Sequence, residues 1–327
     1  MRIPADTAPR HAVVIYNPIK VKVEELKESV NSAAQQAGWD APSWFETTKD
    51  DPGQGLTRRA LEEGADLILS AGGDGTVRAV VEALRGSEVA FAIIPSGTGN
   101  LLARNLQLPL SDLDQASAIA FGTKQRSIDV GVAKITAADG TQTEHAFMVM
   151  AGVGIDAAMI ANTSPSLKKS VGWLAYVDGG VRSLPQITKV PIRYSIDDRA
   201  EKSAHVSTIL VGNCGLLPGN IDLLPDAEID DGELDIAVLQ PKTIFGWLAI
   251  WRTVTWENRV LRRFSLGRSY IKMLGSDKKR TITYLRGSQI TVSVDEPQPF
   301  ELDGEDFGEV VSVQLRADPR ALAVKVA

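Results

Sequence analysis

In the first part of the chain, short apolar runs alternate with stretches whose apolar residues return every three or four positions. Ala12, Val13, Val14, Ile15 and Tyr16 form one such run, which predicts a buried strand closed by Asn17-Pro18. Val23, Leu26, Val30 and Ala33/Ala34 keep helical spacing, and Gly38 supplies a C-terminal stop. Residues 43–47 predict a second strand, and 56–61 fall within a second helix ended by Gly64. Asp66 to Ala71 predicts a third strand, and Val77, Val80, Val81 and Leu84 the helix after it. Phe91 to Ile94 is a fourth apolar run, and Leu101-Leu102-Ala103-Arg104 begins another helical stretch. Strands alternating with helices at this spacing imply a parallel sheet with right-handed crossovers.

After Gln125 the period changes. Alternating or apolar runs at 147–151, 190–196, 206–211, 234–239, 281–285, 290–294 and 310–315 predict antiparallel strands, with turns such as Asp197-Asp198 and Glu296-Pro297. Helical stretches at roughly 167–184 and 243–264 interrupt them. The fold class expected is therefore an α/β N-terminal nucleotide-binding domain with a parallel sheet, followed by a β-rich antiparallel sandwich. Residues 1–126 make the first domain and 127–316 the second, with 317–327 free to return to the first.

Chemistry enters at the two strand-to-helix turns. Gly72-Gly73-Asp74-Gly75-Thr76 follows the third strand, and Pro95-Ser96-Gly97-Thr98-Gly99-Asn100 follows the fourth. Glycine tolerates tight turns and lets a bulky ligand approach the backbone. Unpaired N–H groups at the next helix start favour phosphate. One such turn is as well read as plain βα geometry, whereas two in one small α/β unit favour a phosphate site. Ligands of parallel sheets bind beyond the carboxyl ends of the strands, where Asn17, Thr47, Gly73 to Thr76 and Thr98 to Asn100 all fall.

Composition narrows the classes. The 327 residues can fill two cores, and 44% apolar with 23% charged content is ordinary for a globular protein. A formal charge of −6 argues against bulk nucleic-acid binding. The single cysteine, Cys214, forbids an internal disulfide and points to a reducing compartment. Together with His11, His145 and His205 it cannot make a zinc site of the usual kind. The first residues lack the apolar core of a signal peptide, and no apolar run nears the ~20 residues of a membrane span.

Two acidic segments stand out. Residues 225–235 read Pro-Asp-Ala-Glu-Ile-Asp-Asp-Gly-Glu-Leu-Asp, either a solvated acidic turn or oxygen ligands for a hard cation. Residues 300–306 read Phe-Glu-Leu-Asp-Gly-Glu-Asp. On an extended segment, Asp303 and Glu305 would project to one side, where one carboxylate could accept a proton beside the other.

Taken in order, these motifs resemble the diacylglycerol kinase catalytic family, which includes bacterial lipid kinases and sphingosine-kinase-like enzymes. Gly72 to Thr76 looks like the family's nucleotide loop and Pro95 to Asn100 like its second loop. Ile128-Asp129-Val130-Gly131 resembles its domain junction, and Gly152-Val153-Gly154-Ile155-Asp156 a motif just beyond it. The 225–235 segment and Leu302 to Glu305 resemble its Asp-Asp-Gly and late Asp-Gly-Glu segments. The resemblance spans nearly the whole chain. It implies an ATP-dependent lipid kinase that phosphorylates the hydroxyl of diacylglycerol or a related lipid alcohol. Asn17, Thr47 (or Thr48), Gly72, Gly73, Asp74, Gly75, Thr76, Thr98 and Asn100 would bind ATP. Asp303 would take the proton from the lipid hydroxyl, with Glu305 beside it. Asp231 and Glu233, with Glu228 through its backbone carbonyl, would hold a structural Mg²⁺, and a separate Mg²⁺ would accompany ATP.

The chain departs from the family pattern after the first strand, where Asn17-Pro18-Ile19-Lys20 lacks the usual Ser-Gly pair and Lys20 could supply a charge instead. It departs again at Leu101, which stands where members often carry a second polar residue. From Lys242 to Arg280 there are ten Lys/Arg against Glu257 and Asp277, with Trp247, Trp251 and Trp256 among them. Such a helix suits an anionic bilayer surface, and equally a helix packed on the sandwich with a solvated basic side. The expected partners are a lipid substrate and a membrane surface, with no nucleic acid. A homodimer is left open. The expected location is the cytoplasm, peripheral at the inner face of the membrane, in lipid metabolism and phospholipid biosynthesis. An NAD kinase-like enzyme sharing the Gly-Gly-Asp-Gly-Thr turn is the alternative, as is a catalytically silent nucleotide- or lipid-binding regulator.

Overall fold

The computed structural model describes residues 10–154, 189–217, 221–241 and 281–327. The expected helices at 167–184 and 243–264, the Ile155-Asp156 end of the glycine motif and the basic tryptophan stretch 242–280 lie outside the described residues. The chain divides into two units, one running to Ile128 and taking in Ala321–Ala327, the other spanning Asp129–Arg320.

The first unit runs β1 (Ala12–Tyr16), α1 (Val23–Gln36), β2 (Ser43–Glu46), α2 (Gln54–Glu62), β3 (Leu67–Gly72), α3 (Asp74–Leu84), β4 (Ala90–Pro95), α4 (Leu101–Asn105) and α5 (Leu113–Ala120). Its strands are parallel in the order β4-β3-β1-β2, and Val324 pairs in parallel with Phe91 at the β4 side. All five residues of β1 are buried, which is why it reads as a continuous apolar run rather than an alternation. Leu26, Val30 and Ala34 of α1 pack with Val14, Leu69, Ile94, Ala116 and Phe121 in one core. Burying a Leu, Ile or Phe of this kind contributes about 1.5–3 kcal/mol. Helix α5 was not legible as an apolar period. Asp112 caps it by accepting from the Gln115 N–H at 2.9 Å, and Ala116, Ser117 and Ala120 are its buried stripe.

Register decides where this unit can bind something. Tyr16 pairs with Ala71 and with Glu46, Ala71 with Ile94, and Gly72 with Pro95. The carboxyl ends of all four strands are therefore level, and the loops that follow leave one edge together.

The second unit is antiparallel, as expected. Its strands are β5 (Gln125–Ala137), β6 (Gln142–Phe147), β7 (Met150–Val153), β8 (Val190–Ile196), β9 (Lys202–Val206) and β10 (Thr208–Gly212). The short pair β11 (Leu216–Leu217) and β12 (Ile221–Asp222) follows, then β13 (Leu234–Leu239), β14 (Ile282–Gly287), β15 (Gln289–Leu302) and β16 (Glu305–Lys325). The order β14-β13-β10-β7-β15-β16 runs through one sheet, β8 also pairs with β15, and β9 with β8. Ile209, Val211, Leu234, Ile236, Ile290, Val292, Phe300 and Leu315 lie in its core. Glu296-Pro297 is not a turn. The β15–β16 register shifts between Ser293 and Gln298, so Pro297 sits in a bulge where its missing N–H costs no ladder bond. Asp197, with φ 51°, does turn the chain from β8 toward β9.

Asp129, fully buried, organises one end of this unit. Its carboxylate accepts from the N–H groups of Gly232 at 2.6 Å and Arg320 at 2.7 Å, and its own N–H donates to Ile229 O at 2.8 Å. Asn213 donates to the Asp129 carbonyl at 2.9 Å. The Ile128 to Gly131 motif thus fixes the backbone of the acidic turn from within.

Candidate active site

The two glycine turns of the first unit are locked into each other. Ser96 N–H donates to Gly72 O at 3.1 Å, and Leu101 N–H donates to Asp74 Oδ1 at 2.6 Å. A Cβ on Gly97 would stand 2.7 Å from the Gly73 Cα, and one on Gly99 would stand 2.4 Å from Asp74 Oδ2. These glycines are set by the approach of one loop to the other, not by positive φ. Asn100, at φ 47°, accepts from Gly97 N–H at 2.9 Å and donates back to Gly97 O at 2.8 Å. Arg104 Nε donates to Gly99 O at 2.6 Å. Burial pushes the Asp74 carboxyl above the ordinary range, against the opposing pull of the Leu101 and Asn100 N–H groups and the Arg104 charge.

These bonds divide the expected ATP residues into two kinds. Asp74 and Asn100 spend their side chains on the loops, so they shape the site from behind. Gly73 begins α3 without a side-chain cap, and Gly75 and Thr76 stand in its first turn, where backbone N–H groups lack intrahelical partners. Thr98 is exposed at the tip of the second loop. Asn17 Oδ1 accepts from Ile19 N–H at 3.0 Å, and Lys20 N–H returns to Asn17 O at 3.0 Å, so the first loop closes as a tight turn. Thr47 is buried, and its N–H extends the β1–β2 pairing to Tyr16 O at 2.9 Å. Thr48, the other residue weighed there, uses Oγ1 to accept from Asp51 N–H at 3.0 Å. A pocket of about 190 Å³ opens at the same strand edge, lined by Lys20, Lys22, Ile94, Ser96 and Leu110 among others. Lys20 of the altered first loop and Ser96 of the second loop therefore share one cavity.

In the second unit, Asp303 and Glu305 do not lie along an extended segment. Leu302 pairs with Glu305, and Asp303-Gly304 is the two-residue turn between them, with φ of 49° and 84°. Asp-Gly suits the I′ turn because both central residues take positive φ. The Asp303 carboxylate accepts from Met148 N–H at 2.7 Å and from the Val149 and Met150 N–H groups at 2.9 Å each. Its own N–H donates to Met150 O at 2.8 Å. Three charge-assisted bonds hold this carboxylate in one orientation at the hairpin tip.

Two family models divide this chain as its two kinds of architecture do. Residues 11–133 match the diacylglycerol kinase catalytic domain, and residues 148–257 match the YegS C-terminal NAD kinase beta sandwich-like domain. A probable lipid kinase YegS-like of Pseudomonas aeruginosa is 33% identical over 229 residues, 69% of this chain and 71% of that protein. The chain belongs to the diacylglycerol kinase catalytic family. A diacylglycerol kinase of Staphylococcus carnosus is 26% identical over 92% of this chain and 90% of its own length. The crystal structure of a putative diacylglycerol kinase from Bacillus anthracis superposes with a TM-score of 0.74 over 99% of both chains at 20% identity, a likeness of fold.

The family resemblance also led to Asp231 and Glu233, with Glu228 through its backbone carbonyl, as magnesium ligands, and the structure brings the two carboxylates together on an arginine. Asp231 Oδ1 accepts from Glu233 N–H at 3.0 Å. Its Oδ2 lies 3.3 Å from Arg286 Nη1, and Glu233 Oε2 lies 3.4 Å from the same nitrogen. Glu228 is exposed. Among the described residues no three His, Cys, Asp or Glu side chains stand where they could share a metal ion.

Three residues that shape these sites were not singled out beforehand. Arg104 was quoted only as part of an apolar helix start, although a cation five residues past a glycine loop is a usable signal. Asn213 and Arg286 act across long separations and leave no local mark.

Proposed function

We propose that this chain transfers the γ-phosphoryl group of ATP to the hydroxyl of diacylglycerol or a related lipid alcohol. The observation that carries the reading is the interlocked pair of glycine loops, level at one sheet edge and beside an uncapped helix N-terminus. That arrangement suits a polyphosphate, with the backbone N–H groups of Gly75 and Thr76 facing the ligand and Lys20 adding a cation. Magnesium accompanying the nucleotide would neutralise phosphate charge. The lipid hydroxyl oxygen bonds to the γ-phosphorus, the bond from phosphorus to the β,γ-bridging oxygen breaks, and ADP leaves. Asp303 is the proposed acceptor of the hydroxyl proton, and Glu305 closes the turn that presents it. The transition state of phosphoryl transfer is loose, so position and charge matter more than base strength. A carboxylate fixed by three N–H donors is a positioned group of the kind this needs.

ATP consumption should rise on adding diacylglycerol in mixed micelles, with a phosphorylated lipid as product. Turnover driven by NAD and not by any lipid alcohol would instead support the NAD kinase-like reading, which the name of the second matched domain keeps in view. ATP binding without turnover on any acceptor would support a silent regulator. No helix among the described residues is long and apolar enough to cross a membrane. We assign contact with an anionic membrane surface to the basic 242–280 stretch, and location to the cytoplasmic face. Co-sedimentation with liposomes should increase with anionic lipid and fall with salt, and indifference to both would remove that assignment.

A further inference from the structure

The acidic turn of the second unit is built around a cation, and that cation is a side chain. Asp231 and Glu233 belong to a bend in which Gly232 takes φ 78° and the Glu233 N–H donates to Asp231 Oδ1, and Asp235 follows in β13, between Leu234 and Ile236 of the core. Arg286 lies directly across from Asp235 in the β13–β14 register. Its Nη2 stands 3.1 Å from Asp235 Oδ2 and donates to the Asp226 carbonyl, and its Nη1 stands 3.3 Å from Asp231 Oδ2 and 3.4 Å from Glu233 Oε2. Oxygens from four residues thus converge on one guanidinium.

We propose that Arg286 takes the place of a structural divalent cation in this chain, closing the 226–235 turn without bound metal. The two devices exclude each other on geometry. Mg²⁺ needs near-octahedral oxygens at about 2.0–2.1 Å, whereas a planar guanidinium holds its acceptors at hydrogen-bond distance and occupies the point where they meet. The inference concerns this turn alone and is independent of the lipid-kinase reading. It leaves untouched any Mg²⁺ that travels with ATP.

The test uses full-length protein without nucleotide, compared in EDTA and in MgCl₂. The wild-type melting temperature should not move. Arg286→Met, which keeps the bulk and removes the charge, should melt lower in EDTA. With magnesium about tenfold above its Kd, it should recover roughly 3–6 °C. The double variant Arg286→Met/Asp231→Asn should lose that recovery, which locates the magnesium at this turn. A wild-type melting temperature that rises with magnesium as much as that of Arg286→Met would overturn the proposal. So would an Arg286→Met variant that melts as the wild type does in EDTA and ignores magnesium. If Arg286→Met does not fold, magnesium calorimetry on the nucleotide-free wild type still decides, since stoichiometric binding abolished by Asp231→Asn refutes the proposal and its absence supports it.

Discussion

The glycine loops of the first unit and the hairpin tip of the second solve the same problem in opposite ways. Each must hold backbone in a fixed place where no regular ladder does so. The loops manage it by removing side chains, so that Gly97 lies against Gly73 and Gly99 against Asp74. The hairpin tip manages it by adding one, because a single carboxylate at Asp303 gathers three N–H groups from Met148, Val149 and Met150. The first should fail when bulk is added anywhere in the contact, and the second when one functional group is lost.

The largest expected effect is at the hairpin tip. Asp303→Ala strands three buried N–H donors, at about 1–3 kcal/mol for each left unpaired, and removes the proposed proton acceptor, worth about 10²–10⁴-fold in turnover. Asp303→Asn separates the two losses. Its carbonyl can still accept from Val149 and Met150, but its amide faces the Met148 donor. Amide exchange at Met148 to Met150 should therefore rise less than in Asp303→Ala, while turnover falls almost as far. If the Asn variant kept near-normal lipid phosphorylation, Asp303 would be a scaffold residue only. Second in size is Gly97→Ala. Its φ is not positive, so the penalty is steric: a clash with Gly73 Cα, which backbone must relieve by moving, and crowding of Asn100 Oδ1 at 3.0 Å. A displacement near 1 Å at a positioning loop costs on the order of 10²-fold in kcat/KM. Gly73→Ala is the matched control, because its Cβ would stand at an ordinary 3.7 Å from Gly97 Cα. Equal damage from both would mean that phosphate approach, not loop contact, sets the requirement for glycine.

This contrast also explains what could be read in the sequence. The first unit's elements follow local periods, so β1, α1, β3, α3 and β4 are visible in runs such as Ala12 to Tyr16 and spacings such as Val23, Leu26 and Val30. The glycine turns were legible as strand-to-helix turns for the same reason, since strand, turn and helix are contiguous. Asp303 was visible as chemistry but misplaced in geometry. Asp-Gly between apolar residues is a hairpin signal, yet the segment read as extended because acidic residues flank it. Helix α5 was missed although Asp112 followed three residues later by Gln115 is the pattern of an N-terminal cap. The Arg286 contacts could not be read at all. They join residues 51 to 60 positions apart, and only the β13–β14 register brings them level.

A smaller effect probes the altered first loop. Lys20→Ala should weaken ATP by about 10–100-fold in KM, the worth of one charge-assisted contact of about 1.5–3 kcal/mol, with kcat little changed. An unchanged KM would mean that Lys20 lines the pocket without touching nucleotide, and that the loops alone bind phosphate.

The smallest effect is a pH dependence that tells Asp74 from an ordinary loop carboxylate. Burial raises its folded-state value above the unfolded one, so the native protein holds that proton more tightly. A carboxyl shifted in this direction contributes stability that is fully present below the unfolded value, near 3.8, and is lost as pH rises through the folded value. At neutral pH the protein therefore carries the cost of an ionised, buried Asp74, offset in part by the Leu101 hydrogen bond and the Arg104 charge. Asp74→Asn keeps an oxygen for the Leu101 N–H and removes the ionisation. Relative to wild type it should be most favourable at pH 7, by no more than about 1 kcal/mol, and lose that advantage as pH falls toward 4. Chemical denaturation of both proteins across that range measures it directly. An advantage that grows toward low pH would mean that the hydrogen bond and Arg104 outweigh burial. The loop contact would then rest on charge, as the hairpin tip does, and the division drawn between the two regions would fail at this residue.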